Sequence, residues 1–188
     1  MDALLTALLG CLLGEMGDKS QWLVLALASR YQRDGVVLAG VAIAAACNAA
    51  LSAAAGALLA PMLAGNARLL FLALAILFLG VGMVFRVKRP DMLDGWKLGA
   101  FLTTAFGLFI LGFGDGPQFL ILGIATRTGD PVMAAIGGAV GVTLAAVPVI
   151  ALREQFYHHG ALRAVRLGGG VMLLVVGGLI AASALAIL

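Results

Sequence analysis

Charge is scarce in this chain: Asp, Glu, Lys and Arg make up 11% of its 188 residues, and mean hydropathy is +1.12. Soluble globular domains carry about a quarter charged residues, so the ordinary water-soluble classes are excluded. Alternation of apolar and polar residues is missing as well, and its absence excludes an outer-membrane barrel. Only two cysteines occur, Cys11 and Cys47, both inside apolar segments. They read as small buried hydrophobes, with little support for a redox or thiolate-metal role. The two histidines, His158 and His159, sit beside Arg153 and Glu154 in a polar stretch and read as a solvated loop. A basic region is lacking at the N-terminus, where Asp2 is the one charged side chain. Neither a cleaved secretory signal nor an Arg-rich transit peptide is expected, so the first apolar segment should persist in the mature protein.

What the chain does have is long apolar runs and 26 glycines. Small residues let helices approach closely in lipid. Runs between polar breaks predict six spans, at about 3–29, 36–59, 67–87, 98–126, 131–152 and 165–187. Pro61, Pro90 and Pro131 fall near span ends, whereas Pro117 and Pro148 are interior and should kink or break their helices. Gly137, Gly138 and Gly141, the run Gly168 to Gly170, and Gly177 with Gly178 are expected to be packing faces. Trp96, Tyr31 and Tyr157 read as interface anchors, with Trp22 lying deeper.

Nine of the twelve basic residues fall in the first, third and fifth loops: Arg30 and Arg33; Arg86, Lys88, Arg89 and Lys97; Arg153, Arg163 and Arg166. The opposite side holds Arg68 and Arg127. The positive-inside rule then places the basic loops in the cytoplasm and both termini outside it, in a multi-pass protein of the cell inner membrane. The pI of about 9.2 follows from these loops and needs no nucleic-acid partner.

Into the first apolar run is set Gly14-Glu15-Met16-Gly17-Asp18-Lys19-Ser20-Gln21. A charge near the middle of a membrane helix costs ~2.5–3.5 kcal/mol on the insertion scale, and such groups mark substrate or ion pathways. Part of the pattern recurs 97 residues later. Gly17-Asp18, Gln21, Leu23, Leu25, Ala28 and Arg30 return as Gly114-Asp115, Gln118, Leu120, Leu122, Ala125 and Arg127. Three spans per copy make the copies enter the membrane in opposite directions, the inverted-repeat build of secondary transporters. The expected fold is therefore an all-α polytopic membrane protein of six transmembrane helices in a 3+3 inverted-topology repeat. Residues 1–94 and 95–188 form the two halves of one membrane domain.

Glu15 and Asp18 share a helix face by their spacing, and Asp115 comes from the opposing copy. With Gln21, Gln118 and Asn48 they make a set of hard oxygen ligands, suited to Mn²⁺, Ca²⁺ or Mg²⁺ more than to Zn²⁺ or Cu⁺. Lys19 is expected to be a charge partner that lowers the cost of inserting Glu15 and Asp18. Ser20 is either a ligand or a hydroxyl bonded to its own helix. Metal and protons compete for the same carboxylate oxygens, so alternating access yields cation/proton exchange. The expected partners are thus a divalent cation, protons and the lipid bilayer. No enzymatic activity and no cofactor besides the transported ion are expected, and a homo-oligomer is left open.

Glu15-Met16-Gly17-Asp18-Lys19-Ser20 resembles the signature Glu-x-Gly-Asp-(Lys/Arg)-(Ser/Thr) of the Gdt family of cation/proton exchangers. That family includes the Golgi manganese/calcium transporters and bacterial manganese exporters. The resemblance implies two inverted triplets of helices, a signature in the first helix of each, and manganese as the leading substrate, with calcium next. The second copy departs from the signature, with Gly112, Gly116 and Pro117 at its Glu, basic and hydroxyl positions. Two other activities compete with the exchanger. An intramembrane aspartyl protease would use Asp18 and Asp115, since Gly112-Phe113-Gly114-Asp115 matches a Gly-x-Gly-Asp element. No Tyr-Asp or Pro-Ala-Leu element accompanies it, and the spans are too few. An exporter of small organic cations would also use a three-carboxylate cavity. A non-transporting scaffold gives no reason for buried carboxylates.

Overall fold

The computed structural model describes residues 1–85, 88–153, 155 and 161–186. Among the described residues it is all helix: α1 (Asp2–Glu15), α2 (Lys19–Tyr31), α3 (Asp34–Leu59), α4 (Gly65–Val84), α5 (Gly99–Gly112), α6 (Gly116–Thr128), α7 (Pro131–Leu152) and α8 (Ala161–Ala184). A 3₁₀ turn, Ala60–Met62, follows α3. The 97-residue offset reappears in these bounds. Both ends of α5 and α6, and the start of α7, lie 97 residues after their counterparts in α1, α2 and α3.

Four helices are long and apolar enough to cross a bilayer: Asp34–Met62, Gly65–Val84, Pro131–Leu152 and Leu162–Ala184. A fifth crossing arises if α5 and α6, which meet at 69°, count as one broken span. Residues 3–29 are not the continuous helix the apolar run suggested. The 14 residues of α1 reach about 21 Å, short of a hydrocarbon core of ~30 Å. Glu15, Asp18 and Lys19 crowd the joint that follows. Pro117 sits at the second position of α6, just after its break, where a missing N–H is tolerated. Pro148 does not end its helix, which runs on to Leu152.

The central helices α3 and α7 pack on each other, and the copies exchange partners around them: α1 lies on α7 and α5 on α3. Helix α6 is wedged among α1, α3, α4 and α7, while α4 pairs with α8. Glycines set the closest approaches. A Cβ at Gly137 would strike the Leu4 carbonyl, and one at Gly141 the Leu8 carbonyl, so α1 and α7 meet backbone to backbone. Gly80 and Gly170 do the same for α4 and α8. Gly168 and Gly178 face open space and are not packing positions. Outward-facing Leu9, Leu51, Phe78, Phe106 and Leu179 are exposed apolar side chains, as a lipid-facing surface requires.

Two buried apolar clusters result. One joins Ala7, Cys11, Leu79, Ile121 and Ile124, and the other joins Leu23, Leu27, Val41, Leu108 and Val149. Polar side chains collect between them. His158, His159, Tyr157, Arg86 and Glu154 lie outside the described residues.

Candidate functional site at the paired helix breaks

Both breaks are built alike. Met16 and Phe113 turn extended after α1 and α5, with ψ of 115° and 121°. Gly17 and Gly114 then take φ of +71° and +76°, a left-handed conformation that favours residues without a Cβ. Asp18 and Asp115 follow as the N-cap residues of α2 and α6, yet neither side chain caps its helix. A glutamine ties down the turn itself. The Gly17 N–H donates to Gln21 Oε1 at 2.8 Å, and the Gly114 N–H to Gln118 Oε1 at 2.8 Å. With Gln reaching back over the break, both Asp carboxylates are left free for other partners.

Gln21 is 2% exposed and also donates to the Ala145 carbonyl at 2.8 Å. The geometry gives Gln21 and Gln118 the role of closing the breaks. Replacing either by Leu strands a backbone N–H, which typically costs ~1–3 kcal/mol when buried. Gln21→Leu should lower the melting temperature in detergent more than Gln118→Leu, because it also removes the bond to the Ala145 carbonyl and because Gly114 is exposed. Equal losses would refute that ranking.

The carboxylates divide between two cavities. Glu15 is 7% exposed and accepts a hydrogen bond from Ser20 Oγ; the Ser20 hydroxyl does not turn back onto its own helix. Glu15 and Asp115 line a cavity of about 50 Å³ together with Ser20, Gln21, Asn48 and Gln118. That room exceeds the ~10–15 Å³ one water needs. Asn48 Nδ2 donates to the Phe109 carbonyl at 3.3 Å, while its Oδ1 is buried with no hydrogen-bond partner. Gln118 Nε2 is likewise buried and unpaired. A Cβ on Gly112 would lie 2.8 Å from Asn48 Nδ2. The amide thus fills the place a side chain at 112 would take.

A second, larger cavity of about 320 Å³ is lined by Asp18, Lys19, Lys88, Asp115 and Arg166. Asp115 borders both. Lys19 Nζ lies 3.2 Å from Asp115 Oδ2, so the partner of Lys19 is the carboxylate of the other break and not its sequence neighbours. Asp18 pairs with Arg166, whose Nη1 stands 3.2 Å from Asp18 Oδ1. Sequence reasoning assigned Arg166 to a basic loop. It lies in the second turn of α8, 9% exposed. Its spacing from Asp18 carries no periodic signal, and a lone Arg near the start of an apolar run looks like a loop end.

Five of the six predicted oxygen-bearing residues therefore come together around one cavity, and Asp18 lines the other. Among the described residues no three Asp, Glu, His or Cys side chains converge as a metal-binding group. Oxygen ligands beyond the carboxylates, Asn48 above all, would be needed to complete a shell. Each Asp faces a cation, an arrangement unlike the shared-proton pair of an aspartyl protease.

The family described as "Divalent cation/proton antiporter GDT1" matches residues 3–92, a stretch holding the first break and not the second. A protein of Vibrio cholerae serotype O1 named "Putative manganese exporter" is 31% identical over 155 residues, covering 80% of this chain and 76% of the relative. No solved structure matches the chain significantly.

Proposed function

The chain belongs to the GDT1 family of divalent cation/proton antiporters, and from that premise we propose that it exports Mn²⁺ from the cytoplasm in exchange for protons. One observation carries this reading. Glu15 and Asp115, one from each break, line a single small cavity with the unpartnered Asn48 Oδ1. Two carboxylates and a neutral amide oxygen are hard donors, suited to Mn²⁺ or Ca²⁺. The name of the Vibrio relative favours manganese.

Carboxylates must be deprotonated to hold the ion, so loading displaces protons and unloading takes them up. With protons driven inward, the cation moves outward. Six crossings follow if α1–α2 is a broken span like α5–α6, and the exact 97-residue register of the helix bounds supports the 3+3 inverted repeat. The orientation with both termini outside rests on basic residues that meet at one end of the bundle. Arg30 donates to the carbonyls of Leu93, Asp94 and Trp96, and Arg153 pairs with Asp34 at 3.0 Å. The inner membrane is the corresponding location.

The test is metal-driven proton movement in proteoliposomes with a pH-sensitive dye sealed inside. Mn²⁺, Ca²⁺, Mg²⁺ and Zn²⁺ are added in turn to wild type and to Asp115→Asn. Flux with Mn²⁺ that disappears in the variant is the expected result. Folded protein that moves no protons with any ion would overturn the exchanger.

A further inference from the structure

We propose that Arg166 is a tethered counter-cation for Asp18, a positioning residue that sets how tightly the site holds a divalent cation. The inference rests on the exchange function proposed above and extends it to a residue outside both breaks.

The repeat itself shows the need. Lys19 of the first break neutralises Asp115 of the second. The matching interaction would run from residue 116 to Asp18, but position 116 is glycine. A Cβ there would meet Leu79 Cδ1 at 2.7 Å. Arg166 supplies the missing charge from α8. Ninety-seven residues before it stands Leu69, so this cation is no part of the repeat.

Two contacts hold the guanidinium. Nη1 faces Asp18 Oδ1 at 3.2 Å, and Nη2 donates to the Gly82 carbonyl of α4 at 2.6 Å. The stem lies over the first break, its Cδ 3.6 Å from where a Cβ on Gly17 would be. Arginine keeps its charge at all working pH values. Asp18 is therefore neutralised whether or not cargo is bound. An incoming divalent cation is drawn less strongly than to a bare carboxylate, and it leaves more easily. The Gly82 bond ties the guanidinium to α4, so a shift of α1–α2 against α4 and α8 would draw Asp18 away from it.

The experiment is equilibrium Mn²⁺ binding to the purified full chain in detergent, with Arg166→Gln, Arg166→Lys, Asp18→Asn and the Asp18→Asn/Arg166→Gln double variant. Arg166→Gln should tighten Mn²⁺ binding about tenfold or more, the scale of coupling between close charge pairs. Arg166→Lys keeps the charge and should stay within about threefold of wild type on the same reasoning. In the Asp18→Asn background the glutamine change should have almost no effect, since additivity returns once the partner is gone. Equal shifts for Gln and Lys, or an undiminished shift in the Asp18→Asn background, would reduce Arg166 to a packing role. Melting temperatures of the same four variants form a second cycle that needs no cargo. Wild type that binds no divalent cation sinks the exchange function, and the melting cycle then judges Arg166 alone. Additive melting shifts there overturn the pairing.

Discussion

Glu15→Gln is expected to lower metal-driven proton movement at least ~100-fold, since even residues one shell beyond a metal ligand cost 10–100-fold. The substitution keeps the shape of the side chain and an oxygen for the Ser20 hydroxyl, and removes the charge. Glu15 is the more deeply buried of the two carboxylates lining the small cavity, and its anionic oxygen cannot be replaced there by bulk water. Folding should survive, because the amide keeps the volume of the buried side chain and its oxygen for the Ser20 hydroxyl. Flux in proteoliposomes, paired with the melting temperature in detergent, separates the two effects. A folded variant that still transports at more than a tenth of the wild-type rate would take the ligand role away from Glu15. Ser20→Ala offers the contrast, since it leaves the carboxyl group in place and removes one hydrogen bond; its loss of flux should be much smaller.

The second large effect concerns stability. Gly137→Ala should destabilise the protein by more than the ~1–3 kcal/mol usual for an overpacked core, because the added methyl meets the Leu4 carbonyl and its neighbouring backbone atoms. Backbone cannot rotate aside as a side chain does. Relief comes only from moving α1 off α7, and α1 ends at Glu15. Gly178→Ala is the matched control, with nothing within 4 Å of the new methyl. In a helix interior alanine is favoured over glycine by ~1 kcal/mol, so Gly178→Ala should raise the melting temperature or leave it unchanged. Opposite signs for one chemical change in two helices of the same bundle are the expected outcome. Two stabilising changes would mean that α1 and α7 do not cross at this distance.

Much of the site was legible in the sequence because it is written locally. Gly17-Asp18 and Gly114-Asp115 are legible as one motif repeated, and the structure gives both pairs the same backbone turn. Their 97-residue spacing then reappears in every helix bound of α5 and α6. Gly137, Gly138 and Gly141 likewise signal a close crossing by their spacing. Local pattern also misled where a run hid its own interruption. Residues 3–29 look continuous by hydropathy, yet the chain turns at Met16, and Pro148 stays inside α7 where isolated propensity would end it.

By itself the sequence determined the membrane character and the 97-residue repeat, and it pointed to the carboxylates that line the cavities, whereas the break after α1 came only with the structure. The features read from the sequence depend on side-chain polarity and backbone freedom within a few residues. Only the tertiary structure decided which charges meet. Lys19 turned from its neighbours to Asp115, Arg166 crossed 148 positions to reach Asp18, and the two glutamines closed the breaks. It also separated Asp18 from the cavity shared by Glu15, Asp115 and Asn48. Those choices follow from how helices cross, and crossing is set by glycine contacts such as Gly137 on Leu4 and Gly80 on Gly170. An ion pair forms where packing brings two charges within about 4 Å, and spacing along the chain carries no trace of that distance.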